Sequence, residues 1–304
     1  MDILMKMFTK LWENTEKADN ARLATQTAPE GIAEINNIAY IDDGNRYHLL
    51  DLYYPENTTG KLPVIIDIHG GGWMYADKEL NKIFCLNMAK RGFAVFNISY
   101  RLVPDVTVNE QLSDCAYALK WISENGADYP VCDMDNVMLA GDSAGGQLSV
   151  YSALLMSSAE LRKIFGTPEY NLNLRALTLI SPVAYMNQKG YMGVYTNRMW
   201  GKDYKKKNTY KYMNLDAMLA RGKLPPVYLV TSSGDFLALR QTRKAAEDIK
   251  KYVNDVKLTD FEKFEGEDLP HVFCVLEPES KAGSMVIDEY ISFFMKHTAD
   301  YANK

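Results

Sequence analysis

The octapeptide Leu139–Gly146 constrains the fold more than any other part of this sequence. It contains the pattern G-x-S-x-G, in which Gly141 and Gly145 flank Ser143, and a helix-compatible run, 147–156, follows it. The pattern is typical of a strand that turns sharply into a helix, with the serine hydroxyl exposed and the helix N-terminus directed at it. An ordinary glycine- and serine-rich turn of an α/β protein is the alternative that this stretch alone leaves open.

Strand and helix patterns alternate along most of the chain. Apolar runs rich in β-branched residues, typical of buried parallel strands, are separated by helical stretches and occur at 62–69, 93–99, 136–140, 175–180 and 226–231. Two earlier strands around the turn signal at 42–45 indicate an antiparallel hairpin at one edge. The order predicts an α/β fold, with a mostly parallel central sheet of about eight strands and helices on both faces.

Composition excludes several classes of function. The 304 residues carry a net charge of −5, which gives no general attraction to nucleic acid or to anionic membranes. No apolar run approaches the roughly 18 residues that span a bilayer, so no stable membrane association is expected. The four cysteines form no C-x-x-C pair, which favours free thiols, a reducing cytoplasmic location and the absence of a metal site. No cofactor is implied, and a homodimer is compatible with the sequence, which does not specify an oligomeric state.

The Ser143 hydroxyl would act as a nucleophile only with N–H donors, a base and a carboxylate around it. A run of one histidine and three glycines, His69–Gly72, directly follows a predicted buried strand and supplies amides that no side chain obstructs. No Lys-Ser/Thr pair follows it, which argues against a phosphate-binding loop. We therefore assign an oxyanion hole to the amides of Gly71 and Gly72, and to that of Ala144 after the serine.

The base must come from the four histidines of the chain. His48 lies within the edge hairpin, whereas His69 opens the glycine loop and His297 lies on the last predicted helix. His271 follows the final predicted strand in a loop, so elimination assigns it as the base. A lone loop histidine is more often a surface residue, and the assignment therefore depends on its position.

Asp235 is the first candidate for the carboxylate, because it follows an apolar strand and a small-residue turn between the nucleophile and the base. A turn or helix-capping role is its alternative interpretation. Other candidates lie in the loop before the base: Glu265, Glu267 and Asp268. The order of serine, acid and histidine is that of α/β-hydrolases and differs from the chymotrypsin and subtilisin orders. Asp142 adjoins the nucleophile but should point away from it, so we interpret it as structural.

These motifs together resemble the hormone-sensitive-lipase-like branch of the α/β-hydrolase esterases. The matching segments occur in the order of that family: His69–Gly72, Tyr100–Pro104, Gly141–Gly146, Asp235 and His271–Phe273. The chain departs from the family after the acid, where Phe236 to Ala238 replace the usual Pro-Leu-Arg, and at Asp105, where the family has Glu. The first departure lies next to the proposed acid, Asp235, and neither departure lies next to the nucleophile, Ser143.

The resemblance also implies how the site is covered. In this family an N-terminal segment and an insertion often form a cap, so we expect one α/β-hydrolase domain over residues 1–304, with cap elements at about 1–30 and 182–223. Aromatic and methionine side chains would form an adaptable apolar wall for an acyl or aryl group, although they would equally serve to pack the cap. The candidate substrate-binding residues are Trp73, Tyr185, Tyr191, Met199 and Trp200.

The sequence is thus interpreted as a serine carboxylic-ester hydrolase for short-to-medium acyl or small aryl esters, working through an acyl-enzyme. Ser143 attacks, His271 takes and returns the proton, and Asp235 orients His271. An acetyl esterase of acetylated sugars and an amide or acyl-peptide hydrolase remain alternatives on the same fold. A non-catalytic small-ligand-binding protein is disfavoured because all three catalytic residue types are present. The expected partner is a small-molecule ester.

Overall fold

The structure, a computed structural model, describes residues 3–298, apart from the side chains of residues 191 and 192. Eight strands in that part of the chain form one sheet: β1 (Ile32–Ala39), β2 (Leu49–Pro55), β3 (Leu62–Ile68), β4 (Ala94–Ile98), β5 (Cys132–Asp142), β6 (Leu174–Ile180), β7 (Val227–Ser232) and β8 (Val256–Phe261). Their order across the sheet is β1-β2-β4-β3-β5-β6-β7-β8. The first two pairs, β1 with β2 and β2 with β4, are antiparallel, and all later pairs are parallel.

The described residues also form ten α-helices: α1 (Ile3–Leu23), α2 (Lys82–Lys90), α3 (Val108–Asn125), α4 (Ser143–Ser157), α5 (Ala159–Phe165), α6 (Gly190–Met199), α7 (Leu215–Leu219), α8 (Leu239–Ile249), α9 (Phe273–Leu276) and α10 (Lys281–Lys296). Four short 3-10 helices accompany them: Lys78–Asn81, Gly126–Asp128, Tyr204–Lys206 and Asn208–Tyr212. The segment 182–223, where the sequence has no strand periodicity, therefore folds largely as short helices. None of the helices within residues 3–298 combines the length and the apolar character needed to cross a bilayer.

Both faces of the sheet are buried, which confirms the predicted fold class. Along β3, Val64, Ile66 and Ile68 belong to the apolar layer on one face, and Ile65 belongs to the layer on the other. Helices α3, α4 and α8 pack in the first layer, whereas α2, α9 and α10 pack in the second. Apolar side chains on both faces of a strand are the signature of a parallel sheet covered by helices on both sides.

The carboxyl ends of four strands meet at one edge of the sheet and position the candidate residues. The glycine loop follows β3, Ser143 follows β5, Asp235 follows β7, and the loop that carries His271 follows β8. Because β3 and β5 are neighbours in the sheet, the glycine loop and the serine turn lie side by side. The crevice at this edge is the usual ligand site of such sheets.

Candidate active site

Ser143 occupies the sharp turn between β5 and α4. Its φ of 51° lies in the left-handed region, which side-chain-bearing residues rarely adopt, so the surrounding backbone must hold it there. Glycine is required on both sides: a Cβ at Gly141 would lie 2.4 Å from Ser149 Oγ, and one at Gly145 would lie 1.9 Å from the carbonyl oxygen of Ile68. The two glycines therefore permit the close approach of α4 to the sheet that presents the serine.

The structure brings the three predicted catalytic residues into one chain of hydrogen bonds. Ser143 Oγ lies 2.9 Å from His271 Nε2, and His271 Nδ1 lies 2.8 Å from Asp235 Oδ1. When Nδ1 donates to the carboxylate, Nε2 is left as an acceptor for the serine hydroxyl. The arrangement has the geometry of a nucleophile, a general base and an orienting acid.

Asp235 is fully buried at the end of β7. Burial raises the pKa of its carboxyl, but the hydrogen bonds from His271 and from the amide of Ala238 outweigh burial, so the pKa lies below its ordinary value. Asp235 therefore stays ionised beside the imidazole. The other acids that the sequence leaves open, Glu265, Glu267 and Asp268, are exposed on the surface.

Hydrogen bonds fix the glycine loop through its carbonyl groups. The carbonyl of Gly70 accepts from His69 Nδ1 at 2.8 Å and from the hydroxyl of Tyr100 at 3.0 Å. The carbonyl of Gly71 accepts from the amides of Met74 and Tyr75. Each carbonyl belongs to the same peptide group as the next amide, so these bonds set the directions of the Gly71 and Gly72 N–H groups. Among the described residues, neither of those amides has an acceptor.

The third predicted donor, the amide of Ala144, lies in the first turn of α4, where N–H groups have no intrahelical acceptor. Within residues 3–298, the amides of Gly71, Gly72 and Ala144 thus lie around the serine turn with no acceptor, close to the positive end of a helix dipole. A developing oxyanion is the kind of group that such donors stabilise. His69 supports the loop through its bond to the Gly70 carbonyl, and burial lowers its pKa to about 4, which keeps it neutral as a donor from Nδ1.

A buried acidic network lies beneath the loop. Asp142 Oδ1 accepts from the Gly70 amide and from Asn81 Nδ2, both at 2.9 Å, and the same Asn81 nitrogen donates to Asp67 Oδ2 at 2.8 Å. Asp142 therefore anchors the glycine loop, as expected of a structural residue. Burial raises the pKa of Asp142 to about 6, and burial together with the Asp142 carboxylate raises the pKa of Asp67 to about 8.

This network predicts a pH-dependent stability that Asp67→Asn should remove. The folded chain keeps the Asp67 proton up to about pH 8, whereas the unfolded chain releases it near its ordinary pKa of 3.8. Between those values the folded state binds more protons, so the wild-type protein loses stability as the pH rises, by up to about 1.4 kcal/mol per pH unit. We expect the variant to gain stability over wild type progressively from about pH 5 to about pH 8 in urea unfolding. Asp105→Asn, at an exposed aspartate, is the control; parallel pH curves for wild type and Asp67→Asn would refute the prediction.

A cavity of about 260 Å³ opens onto Ser143 and His271. Its walls come mainly from α1, from α9 and from the loop after Asp235, and include Trp12, Phe236 and Val275. Sequence reasoning did not select these three residues. The sequence signal for Trp12 was its place on an amphipathic helix, and the signal for Phe236 was its place beside Asp235; Val275 had none.

The structure places four of the predicted substrate-binding residues away from this cavity. Trp73 is buried and donates through Nε1 to Gln147, and Tyr185 is buried and donates its hydroxyl to Asp248. Met199 and Trp200 are also buried within the protein. All four side chains are buried, Trp73 directly after the glycine loop and the other three in the 182–223 segment, and the substrate-binding role expected of them stays a prediction. The side chain of Tyr191 lies outside the part of the chain that the structure describes.

No cluster of three or more histidine, cysteine, aspartate or glutamate side chains suited to a metal ion occurs within residues 3–298. The four cysteines are all free and buried.

Comparison with known proteins identifies esterases that are similar to this chain in sequence and in structure. A family model described as BD-FAE matches residues 50–191. Esterase B of Lactobacillus rhamnosis, solved with a C4-C4 tributyrin phosphonate inhibitor, has a TM-score of 0.91 and 29% identity over 99% of this chain and 97% of that chain.

Curated relatives are similar over shorter regions. A probable isoprenylcysteine alpha-carbonyl methylesterase of Oryza sativa is 27% identical over 204 residues, which are 62% of this chain and 46% of the relative. A carboxylesterase of Mycobacterium tuberculosis is 31% identical over 135 residues, which are 43% of this chain and 41% of the relative. The chain thus spans less than half the length of these curated relatives. The eight-stranded sheet, the motifs in their order and these similarities support an α/β-hydrolase esterase similar to the hormone-sensitive-lipase-like branch.

Proposed function

We propose that this protein is a serine carboxylic-ester hydrolase that works through an acyl-enzyme. The observation that carries the proposal is the hydrogen-bonded chain from Ser143 Oγ through His271 to Asp235. A serine hydroxyl is a weak nucleophile unless a positioned base removes its proton, and this geometry supplies the base.

In the first half of the reaction, Ser143 Oγ attacks the ester carbonyl carbon while His271 Nε2 takes the hydroxyl proton. The carbonyl oxygen becomes an oxyanion and accepts hydrogen bonds from the amides of Gly71, Gly72 and Ala144. When the tetrahedral intermediate collapses, the C–O bond to the alcohol breaks and Nε2 returns the proton to the leaving alkoxide.

In the second half, water attacks the acyl-enzyme and gives its proton to His271 Nε2. The oxyanion forms again in the same place and collapses with cleavage of the bond to Ser143 Oγ, which recovers the proton. The products are the carboxylic acid and free enzyme. Throughout, the buried carboxylate of Asp235 keeps the imidazole oriented and stabilises its protonated form.

The cavity supports a small acyl or aryl group as the substrate moiety. Its volume of about 260 Å³ exceeds the ~150 Å³ of a cavity that holds benzene, but lies below the usual range for drug-sized ligands. The names of the relatives in Lactobacillus, Oryza and Mycobacterium all describe ester hydrolysis. Short-to-medium acyl esters are therefore the proposed substrates.

This proposal predicts a chain-length profile with p-nitrophenyl esters. We expect kcat/KM to be highest for acyl chains of about two to six carbons and to fall at least about tenfold by about twelve carbons, because longer chains leave the cavity. Acetylated sugars and a matched pair of ester and anilide substrates belong in the same screen, because the triad alone fits sugar acetates and amides as well. A flat profile across the ester series would contradict the proposed acyl site, and an anilide preferred over its matched ester would make the enzyme an amide hydrolase.

The domain organisation, the location and the oligomeric state complete the proposal. The chain is a single α/β-hydrolase domain in which α1 acts as a cap element, supported by the four α1 residues that line the cavity: Trp12, Thr15, Asp19 and Arg22. The segment 182–223 remains proposed as the second cap element, although none of its described side chains lines this cavity. A cytoplasmic location is supported by the four free, buried cysteines, and the homodimer remains a prediction.

A further inference from the structure

The carbonyl of Gly72 is held differently from the other two carbonyls of the glycine loop. Those of Gly70 and Gly71 accept hydrogen bonds from His69, Tyr100 and the amides of the next loop residues, whereas the carbonyl of Gly72 accepts from the hydroxyl of Tyr195 on α6. Tyr195 in turn accepts a hydrogen bond of 2.8 Å from the indole Nε1 of Trp12 on α1. The loop that carries two of the proposed oxyanion donors is thus connected to α6 and to the N-terminal helix.

Trp12 also contacts the loop directly. A Cβ at Gly72 would lie 2.2 Å from Trp12 Cζ2, so the indole ring rests against the Cα of Gly72. The same indole stacks on the ring of Tyr75, with centroids 5.0 Å apart and an interplanar angle of 18°. Gly72 has a φ of 54°, in the left-handed region, a backbone conformation that glycine adopts more easily than other residues. The indole ring thus packs against a residue in an uncommon backbone conformation.

The ring of Tyr195 is fixed by its neighbours. It is 6% exposed, packs edge-on against Phe8 with centroids 4.8 Å apart, and lies 6.2 Å from the ring of Trp73. The phenol has a single proton. Because its oxygen accepts from Trp12, that proton is directed to the Gly72 carbonyl. The two hydrogen bonds therefore run in one direction, from Trp12 to Tyr195 and from Tyr195 to Gly72.

We propose that Tyr195 and Trp12 are positioning residues for the oxyanion hole. Through them, the rate of ester hydrolysis depends on how α1 packs against the glycine loop. The inference rests on the proposed ester hydrolysis. Neither side chain is required to touch the reacting carbonyl. The Gly72 carbonyl shares its peptide group with the Trp73 amide, so the Tyr195 bond does not itself orient the Gly72 N–H, which the bonds to the Gly71 carbonyl direct. The Tyr195 bond and the packing of Trp12 on the Gly72 Cα instead hold in place the residue that carries this N–H. Oxyanion donors act because they are preorganised, so a loosened donor reduces kcat more than it changes substrate binding.

The test is Tyr195→Phe, which removes one hydroxyl and keeps the ring in its packing. We expect kcat on p-nitrophenyl butyrate to fall about tenfold with KM within about twofold, a smaller loss than the 10²–10³ that follows removal of a whole donor. The specific readout is the rate ratio between an oxo-ester and its thionoester, because a sulfur atom fits an oxygen-shaped hole poorly. We expect this ratio to fall about fivefold in the variant, since a loosened hole discriminates less.

Tyr210→Phe is the matched control, because Tyr210 belongs to the same 182–223 segment but does not line the cavity. Trp12→Phe removes the donor to Tyr195, and we expect the Tyr195→Phe loss to be smaller in that background, as coupled residues require. Thermal unfolding of each variant reports on folding separately.

The outcomes separate this inference from the function on which it rests. A wild-type protein without esterase activity and without phosphonate labelling would contradict the proposed function. An active wild type whose Tyr195→Phe variant keeps both kcat and the oxo-to-thionoester ratio would overturn the positioning role. Parallel losses on both substrates, with an unchanged ratio, would also overturn it and would leave Tyr195 as a structural residue.

Discussion

Replacing Ser143 by alanine is expected to abolish ester hydrolysis and to leave the protein folded. We expect kcat on p-nitrophenyl butyrate to fall by roughly 10⁵–10⁶, the scale seen when the nucleophile of a serine hydrolase is removed. The residual rate would come from the amides of the oxyanion hole and from substrate binding. Alanine keeps the Cβ that serine already places at φ 51°, so the backbone strain at this turn changes little. Activity assays and labelling by a p-nitrophenyl phosphonate, with the adduct located by mass spectrometry, measure the effect.

Ser123→Ala is the control for this experiment. Ser123 lies on α3, and its hydroxyl bonds only locally, to the carbonyl of Lys120, in the contacts that the structure describes for it. This variant should keep wild-type activity and phosphonate labelling at Ser143. If Ser143→Ala retained activity, or if wild-type protein were labelled at another serine, the proposed mechanism would be wrong.

The sequence allowed the catalytic constellation to be predicted because its residues depend on local backbone and on chain order. Gly141 and Gly145 are required by contacts within a few residues of Ser143 or with the adjacent strand end. Asp235 and His271 follow strands whose carboxyl ends must meet in a parallel sheet. The same local logic identified the glycine loop after β3.

The substrate cavity could not be predicted in the same way. Its walls depend on where α1 and α9 pack, and an amphipathic stripe does not specify which surface it will cover. Trp12 reaches the glycine loop only because α1 lies across it. Tyr195 and Trp200 are both aromatic residues of one segment, yet the first contacts the loop and the second is buried in the core beside Met186. Composition alone cannot distinguish two such environments.

The buried network of Asp67, Asn81 and Asp142 shows a similar limit. The adjacency of Asp142 to the nucleophile was sufficient to predict a structural role, because the turn directs successive side chains apart. Its partners come from the end of β3 and from a short 3-10 helix, at separations of 61 residues for Asn81 and 72 residues for the Gly70 amide. No motif in the sequence marks Asn81 as a partner of these acids, so the raised pKa values of Asp67 and Asp142 emerge only from the fold.

Asp235→Ala is expected to lower kcat by roughly 10⁴, the effect of removing the acid from a serine triad. The reason is that His271 loses both the acceptor that fixes its tautomer and the charge that stabilises its protonated form. Asp235→Asn should separate these two contributions. Oδ1 accepts from the Ala238 amide at 2.8 Å as well as from His271, whereas Oδ2 accepts at 3.2 Å from the hydroxyl of Thr231. Because a backbone amide can only donate and a hydroxyl can also accept, we expect the asparagine oxygen to take the Oδ1 position and to face Nδ1.

The asparagine variant therefore keeps the productive tautomer and loses the charge, and we expect it to lose only about 10- to 100-fold in kcat, the worth of a charged hydrogen bond. A loss near 10⁴ would mean instead that the amide nitrogen faces His271 and imposes the wrong tautomer. Asp268→Ala is the matched control, since Asp268 is an exposed acid in the loop just before His271 and should keep activity within about twofold. If Asp268→Ala abolished activity while Asp235→Ala retained it, the acid of the triad would be Asp268, and the hydrogen bond from His271 to Asp235 would not be the catalytic one.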